Sequence, residues 1–298
     1  KSKKFLGAIE SCYLTGLSKQ VLKSSVSRKR VYDLITSSKT FIANGFLIHN
    51  SVFDMERVRK NYNEKLELQN TEVSKNNFQD YKYVINIERP KQAELAMVCA
   101  DIGESAPTEI AILFLISGKY RYVYNVTLYN LTDKEQAEIF EFIAQQVEAN
   151  LVALDITDGT GRAIYRRLLE VFPSDNVVPV GFNEKIPVGF EKRPDTGDVI
   201  YKDGIPVFKE EYVRDWSIQN LKDLFYNFRM EMPVDHKFDA QINSVACMRS
   251  GTRLIYECLA QEDHLFQAFQ VFSVAQWMCE FNLIKPLRKK AFCKRGVF

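Results

Sequence analysis

LVALDITDGTGRAIYRRLLE, Leu151–Glu170, is the stretch whose reading decides the fold. Its first residues form a compact apolar run of strand length that stops at an acid, Asp155, as a strand buried on both faces does. Asp158-Gly159-Thr160-Gly161 then turns the chain and opens a helix that runs to about Val171. A further short strand follows at Val177–Val180. Strand, turn, helix and strand in this order make the repeating unit of a parallel sheet.

Upstream, Thr132 can cap a helix while Glu135 reaches back to it, a capping box. The apolar face of that helix (Ala137, Phe140, Ile143, Ala144, Val147) recurs at helical spacing. Earlier still come Leu95–Ile102 (LAMVCADI), Ile110–Ile116 and Tyr120–Tyr129, the last two joined through Ser117-Gly118-Lys119, a tight turn. These three read as an antiparallel meander. Three strands, helix, strand, helix, strand is the order that opens the ribonuclease H-like fold, an α/β class with a mixed sheet flanked by helices.

Downstream, Asn183–Arg214 is rich in Pro, Gly and charge and reads as an inserted hairpin or flap. Trp216–Phe228 and Phe238–Met248 read as helices, Arg253–Cys258 as a short strand and Asp263–Glu280 as a long apolar helix. The chain ends in the basic stretch KPLRKKAFCKRGVF. At the other end, Ser51–Asn77 is polar and charged, a linker or exposed helix, and a new regime starts near Tyr81.

A chain of 298 residues holds one large or two modest domains. Hydrophobic residues at 46% and charged ones at 26% are ordinary for a globular protein. A net charge of +2 carries no global nucleic-acid signature, so contact with DNA has to come from local patches. The six cysteines are scattered without a C-x-x-C pair, which argues against a disulfide framework or a structural zinc and for a reducing, cytosolic setting. No apolar run reaches the length of a membrane span, so no membrane partner is expected.

Three acids fall where chemistry is placed in such a sheet. Asp101 closes the first strand, Asp155 closes the fourth, and Asp263 opens the last helix. In a mixed sheet of this order the first and fourth strands can lie side by side, and a helix entering beside them brings Asp263 into the same cluster. Carboxylates packed so closely repel unless a cation neutralises them. Hard divalent ions bound through oxygen, Mg²⁺ or Mn²⁺, suit the site. Two of them, about 3.5–4 Å apart, form the clamp for in-line phosphodiester hydrolysis. Asp101 would bridge both ions, Asp155 and Asp263 would hold one each, and His264 would shuttle a proton or simply pack at the helix N-terminus. Taken singly, an Asp at a strand end is a turn former and Asp263 an N-cap.

At these residues the chain resembles the nuclease domain of the large terminase subunit of tailed bacteriophages and related viruses. The resemblance runs from about Val84 to Trp277 and rests on ADIGES…TEIAIL, LDITDGTGRAIYRRLLE and MPVDHKFDAQINSV…LIYECLAQEDHLFQAF. It implies an endonuclease that cuts concatemeric DNA into genome lengths in the cytoplasm of the infected host. Its implied partners are double-stranded DNA, a portal protein, a small terminase subunit and an upstream ATPase domain. Two departures bear on the ligand set. The family often has Glu-x-Asn where Asp155-Ile156-Thr157 stands, and often an Asp where Gln267 stands, so Asp158 or Glu262 could supply a ligand. No G-x-x-x-x-G-K-[ST] loop is present, so this chain should not hydrolyse ATP. A ribonuclease H-like docking module without catalysis, and a resolvase or transposase with the same acids, are the rival readings.

For DNA contact, Lys285, Arg288, Lys289, Lys290, Lys294 and Arg295 form a basic run able to release counterions from phosphates, or else a solvated tail. Lys185, Lys192, Arg193 and Lys202 in the flap could track the duplex in the same sequence-independent way.

Near the start, Val31–Leu34 (VYDL) leads to FIANGFLIHN, Phe41–Asn50, with Ser51 next. Asn44-Gly45 between apolar runs signals a hairpin. This segment resembles the C-terminal splicing region of an intein, a small all-β (Hint-type) fragment. The resemblance implies that Asn50 cyclises and cuts the Asn50–Ser51 bond, that His49 polarises or protonates it, and that Ser51 accepts the upstream segment as an ester. A His ahead of Phe41 is missing, with Lys39 near its place, and the opening nucleophile and Thr-x-x-His block are absent. Alone the segment is expected to cleave but not splice, its intein N-terminal half lying elsewhere, and Lys1 is read as an arbitrary cut or the start of a split half. The expected domains are therefore 1–50 intein fragment, 51–80 linker and 81–298 nuclease domain with its basic tail.

Overall fold

The computed structural model describes residues 52–250 and 253–280, together with the backbone of four short strands before them. Those strands are β1 (Val21–Ser24), β2 (Val31–Leu34), β3 (Thr40–Ala43) and β4 (Phe46–His49). The chain divides into two compact units, one of Lys1–Met55 with Asp239–Gln261 and one of Glu56–Phe238 with Glu262–Phe298.

The larger unit opens with helix α1 (Met55–Arg59), strand β5 (Gln69–Ser74) and helix α2 (Tyr81–Val84). The meander follows as β6 (Leu95–Asp101), β7 (Thr108–Ile116) and β8 (Lys119–Tyr129), each antiparallel to the next. Ser117 and Gly118 both take positive φ (50° and 77°), the two-residue turn whose twist matches the strands. Helix α3 (Asp133–Gln146) starts at the expected capping box, the Thr132 hydroxyl accepting from Glu135 N–H while Glu135 accepts from Thr132 N–H. It carries the chain across to β9 (Leu151–Asp155), and helix α4 (Gly159–Val171) does the same for β10 (Val177–Val180).

Both crossovers give parallel strands, as helical connections do, so β9 runs parallel to β6 and β10 parallel to β9. The sheet order is β10-β9-β6-β7-β8, with β8 also pairing β5 and, further along, β15 (Met230–Glu231). This is the ribonuclease H-like sheet, with the first strand in the middle between the meander and the parallel half. One physical consequence matters for chemistry: the C-terminal ends of β6 and β9 are neighbours.

A hairpin leaves the sheet after β10. Its strands are β11 (Lys185–Phe190), β12 (Tyr201–Lys202), β13 (Ile205–Pro206) and β14 (Phe208–Tyr212), with β11 pairing β14 and β12 pairing β13. Helices α5 (Val213–Tyr226) and, at the end of the described residues, α7 (His264–Glu280) complete the layers, while α6 (His236–Asn243) starts in this unit and its residues from Asp239 belong to the smaller one. Side chains alternate across each strand: Val98, Ala100, Ile110 and Ile112 pack with Phe140, Ile143 and Ile164 of α3 and α4. The other face meets α7, which is buried nearly all round, as an apolar helix inside a layered fold is. Its rings fix it: Phe269 lies 4.9 Å from Tyr122 and 4.4 Å from Phe238, and Phe272 5.1 Å from Tyr120. Aromatic pairs at such separations add roughly 0.5–1.5 kcal/mol each beyond their buried area. Among the described residues no helix is long and apolar enough to cross a membrane.

In the smaller unit β1 pairs antiparallel with β2, and β3 with β4, Ala43 standing opposite Phe46 with Asn44-Gly45 between them. Strands β16 (Val245–Ser250) and β17 (Arg253–Cys258) form a second hairpin, and β16 also runs beside β4.

Two expectations need correction. The helix read over Phe238–Met248 ends at Asn243, and Val245–Ser250 is a strand. Pairing with the Arg253–Cys258 strand fixes that segment, and a paired partner outweighs local helical spacing. The polar run read as a linker or exposed helix contains β5, which joins the main sheet through backbone bonds and buries only Val73. An edge strand that hides one side chain leaves almost no hydrophobic signature.

Candidate active site

Two acids end adjacent parallel strands: Asp101 at the last residue of β6 and Asp155 at the last residue of β9. Ala100 stands beside Leu154 in the register, so the next step along each strand places the two acids side by side. Both belong to the face that meets α7, since Ala100 and Leu154 belong to the opposite face. They line an open cleft of about 390 Å³ with Gly103–Ala106, Thr157, Asp158, Phe182, Arg214, His264 and Gln267.

Asp101 is 4% exposed and Asp155 9% exposed. His264, the first residue of α7, puts Nδ1 2.7 Å from Asp101 Oδ2. The packing of α7 against Tyr122 and Phe238 is therefore what aims the imidazole. Asp155 Oδ1 accepts from Thr157 N–H at 2.8 Å and from the Thr157 hydroxyl at 2.5 Å. The same hydroxyl accepts from Phe182 N–H at 3.1 Å, tying Asp155 to the base of the hairpin. Asp158 caps α4, its Oδ1 accepting from Gly161 N–H at 2.8 Å. Among the described residues, Asp101 Oδ1 and Asp155 Oδ2 take no hydrogen bond.

Burial dominates the electrostatics. It pushes Asp101 from its ordinary 3.8 up to about 6, with the hydrogen bond to His264 and the His264 charge opposing and Asp155 and Asp263 adding to the rise. Asp155 is likewise raised by burial, against the two hydrogen bonds from Thr157. The hydrogen bond to Asp101 raises His264. Without a metal, the folded state thus holds the Asp101 proton more tightly than the unfolded chain, and between about 3.8 and about 6 its stability falls as pH rises, by an amount on the order of 3 kcal/mol. His264 acts in the same direction, since the stability from a raised imidazole is present below its ordinary 6.5 and is lost as pH rises through its folded value. Denaturant melts of the metal-free protein and of Asp101→Asn should therefore diverge in the variant's favour from pH 4 to 7. A constant difference across that range would contradict the burial account.

The structure brings Asp101, Asp155, Asp158 and His264 to one cleft. Asp263, just before α7, adds its negative field at Asp101 and His264 but does not line the cleft. Among the described residues, no group of three His, Cys, Asp or Glu side chains stands arranged to hold a metal ion. Lys185, Lys192, Arg193 and Lys202 are all exposed on the hairpin. From Glu184 to Tyr212 that hairpin carries five basic and seven acidic residues, so it offers no net attraction to phosphates. It does expose Phe190, Tyr201, Ile205 and Phe208, in contrast to the core rings of the sheet. His49 ends β4, with its side chain undescribed, while Asn50, Ser51, Lys285, Arg288, Lys289, Lys290, Lys294 and Arg295 lie outside the described residues.

Sequence reasoning missed Arg214 and Phe182 as cleft residues. They flank the hairpin on its two sides, and no local pattern links either to Asp101.

No protein-family model matches the chain, and no curated protein matches it. Among solved structures, the large terminase nuclease of thermophilic phage G20c with bound magnesium is 15% identical over 76% of this chain and 97% of its own, with a TM-score of 0.48. The same nuclease with bound cobalt is 14% identical over 75% and 97%, TM-score 0.47. The large terminase nuclease domain of a Thermus phage is 12% identical over 65% of this chain and 84% of its own, TM-score 0.45.

Proposed function

We propose that the larger unit is the metal-dependent endonuclease domain of a viral DNA-packaging terminase, cutting concatemeric double-stranded DNA. One observation carries this reading: two buried aspartates end neighbouring parallel strands and share one open cleft. The cleft fits a hard divalent ion. Its donors are carboxylate oxygens, one oxygen of each aspartate is left over, and burial makes their charge costly until a cation offsets it. Mg²⁺ characteristically takes one or two carboxylates, keeps waters and completes its shell with substrate phosphates. An incomplete protein shell is therefore compatible with Mg²⁺ or Mn²⁺, one ion or two.

Asp101 and Asp155 would hold the metal, which when bound supplies Lewis-acid activation of the scissile phosphate and its attacking water. The chain's own groups do the rest. Thr157 orients Asp155, and Asp101 orients His264, whose other ring nitrogen is left to carry a proton at the cleft. Asp158, already engaged as a cap, and Asp263, beside the cleft, are supplementary ligands. The upstream ATPase domain, portal protein and small terminase subunit are partners in this reading, and the host cytoplasm is its setting.

Purified protein should linearise plasmid DNA in Mn²⁺ and stop when the metal is chelated; intact plasmid in both conditions would refute it. One rival is a docking module without catalysis, favoured by the lack, among the described residues, of a three-ligand group arranged for a metal. Calorimetry separates the two, because such a module would give no Mn²⁺ heat that Asp155→Asn removes.

The same proposal includes an intein C-terminal fragment ahead of Ser51, supported by the FIANGFLIHN resemblance and the Thr40–Ala43 and Phe46–His49 hairpin. Asn50→Ala should block release of the N-terminal 50-residue piece seen on a gel. Equal release from both proteins would remove this part.

A further inference from the structure

Every ionisable side chain on the cleft but one is an acid or an imidazole: Asp101, Glu104, Asp155, Asp158 and His264. The exception is Arg214, and three independent constraints fix where it stands. The Val213 N–H before it bonds Glu184 O at 2.9 Å, which closes the base of the hairpin. Its own carbonyl accepts from the Ser217 hydroxyl at 2.9 Å and from Gln270 Nε2 at 3.3 Å, the second bond coming from the helix that carries His264. Its guanidinium lies 5.9 Å from the centroid of the Phe182 ring, within cation–π range. Phe182 is in turn held by the hydroxyl that orients Asp155.

The backbone is fixed at the cleft while the side chain remains exposed, and among the described residues the guanidinium makes no ion pair within 4 Å. A guanidinium has five N–H donors, no acceptor and a charge that does not titrate in proteins. Its planar fork matches two oxygens of a phosphate. Its charge already favours the Asp155 carboxylate from a distance, but its N–H donors stay available, and an anionic substrate entering the cleft can take them.

We infer that Arg214 grips a phosphodiester of the DNA in the cleft, and that the base of the hairpin sets its position. This rests on the nuclease reading for its substrate, although the phosphate contact can be read without cleavage. Arg214 touches substrate here, whereas Gln270, Ser217 and Phe182 position it.

The test uses the full chain, Arg214→Ala and Arg214→Lys. Binding of a fluorescent 30-base-pair duplex is followed against salt without divalent ions, plasmid cleavage is followed in Mn²⁺, and Mn²⁺ binding is followed without DNA. Arg214→Ala should flatten the salt dependence by about one phosphate contact. It should also slow cleavage by roughly 10²-fold with Mn²⁺ affinity unchanged, and Lys should recover part of both losses. An unchanged salt slope, or a cleavage loss matched by an equal loss of Mn²⁺ affinity, would overturn the inference and leave Arg214 as a countercharge. If the parent protein binds duplex through Arg214 yet never cuts, the nuclease reading falls and the phosphate contact stands.

Discussion

Asp101→Asn should reduce Mn²⁺-dependent plasmid cleavage on the order of 10³-fold or more while leaving the protein folded. The substitution keeps the shape of the side chain and one oxygen able to accept from His264 Nδ1. What it removes is the charge, and with it the cation's reason to bind. Because that charge is 4% exposed and its carboxyl is pushed up to about 6, its removal relieves a desolvation cost rather than creating one. Thermal stability of the metal-free variant at neutral pH should equal or exceed the parent's. Activity and stability thus move in opposite directions, which a merely unfolded variant cannot do. Full cleavage by Asp101→Asn would remove Asp101 from the chemistry, and a large fall in stability would show the residue to be structural.

The second large effect concerns a glycine. Gly161 sits in the first turn of α4, where a Cβ would come 2.1 Å from the Asp155 carbonyl oxygen and 3.1 Å from Ile156 Cα. Both are backbone atoms, so no flexible side chain can give way. Gly161→Ala must push α4 off the end of β9, breaking the cap from Asp158 and moving Asp155 with it. A loss of about 3 kcal/mol, at the upper end for overpacking, is expected, together with loss of cleavage. Gly159, two residues earlier, has nothing within 4 Å of its would-be Cβ, so Gly159→Ala should stay within about 1 kcal/mol of the parent. Denaturant melts of both variants check this, and equal behaviour of the two would contradict the close approach.

That glycine also shows why this fold is legible in its sequence. LVALD followed by Asp-Gly-Thr-Gly states a buried strand, a cap and a helix that must start against the strand end. The capping box at Thr132 and Glu135 and the Ser117-Gly118 turn are equally local, and the structure has all of them. Strand β5 is hidden because it enters the sheet by backbone bonds with one buried side chain. Strand β16 reads as helix because its identity depends on a partner strand.

The site divides along the same line. Asp101 and Asp155 can be found from the sequence because strand ends are where a sheet presents side chains to solvent. His264 can be found because it opens a helix. Asp263, next to it, stands beside the cleft rather than lining it, and its charge is felt there. Arg214 and Phe182 cannot be found at all, since their place depends on where a 28-residue hairpin, Lys185–Tyr212, returns to the sheet. Tertiary closure carries no local pattern.

Crystals soaked in Mn²⁺ and measured at the manganese absorption edge put the central claim to the test. An anomalous peak within bonding distance of both an Asp101 and an Asp155 oxygen is the predicted result. Manganese bound only elsewhere, with those two carboxylates bare at neutral pH, would contradict it.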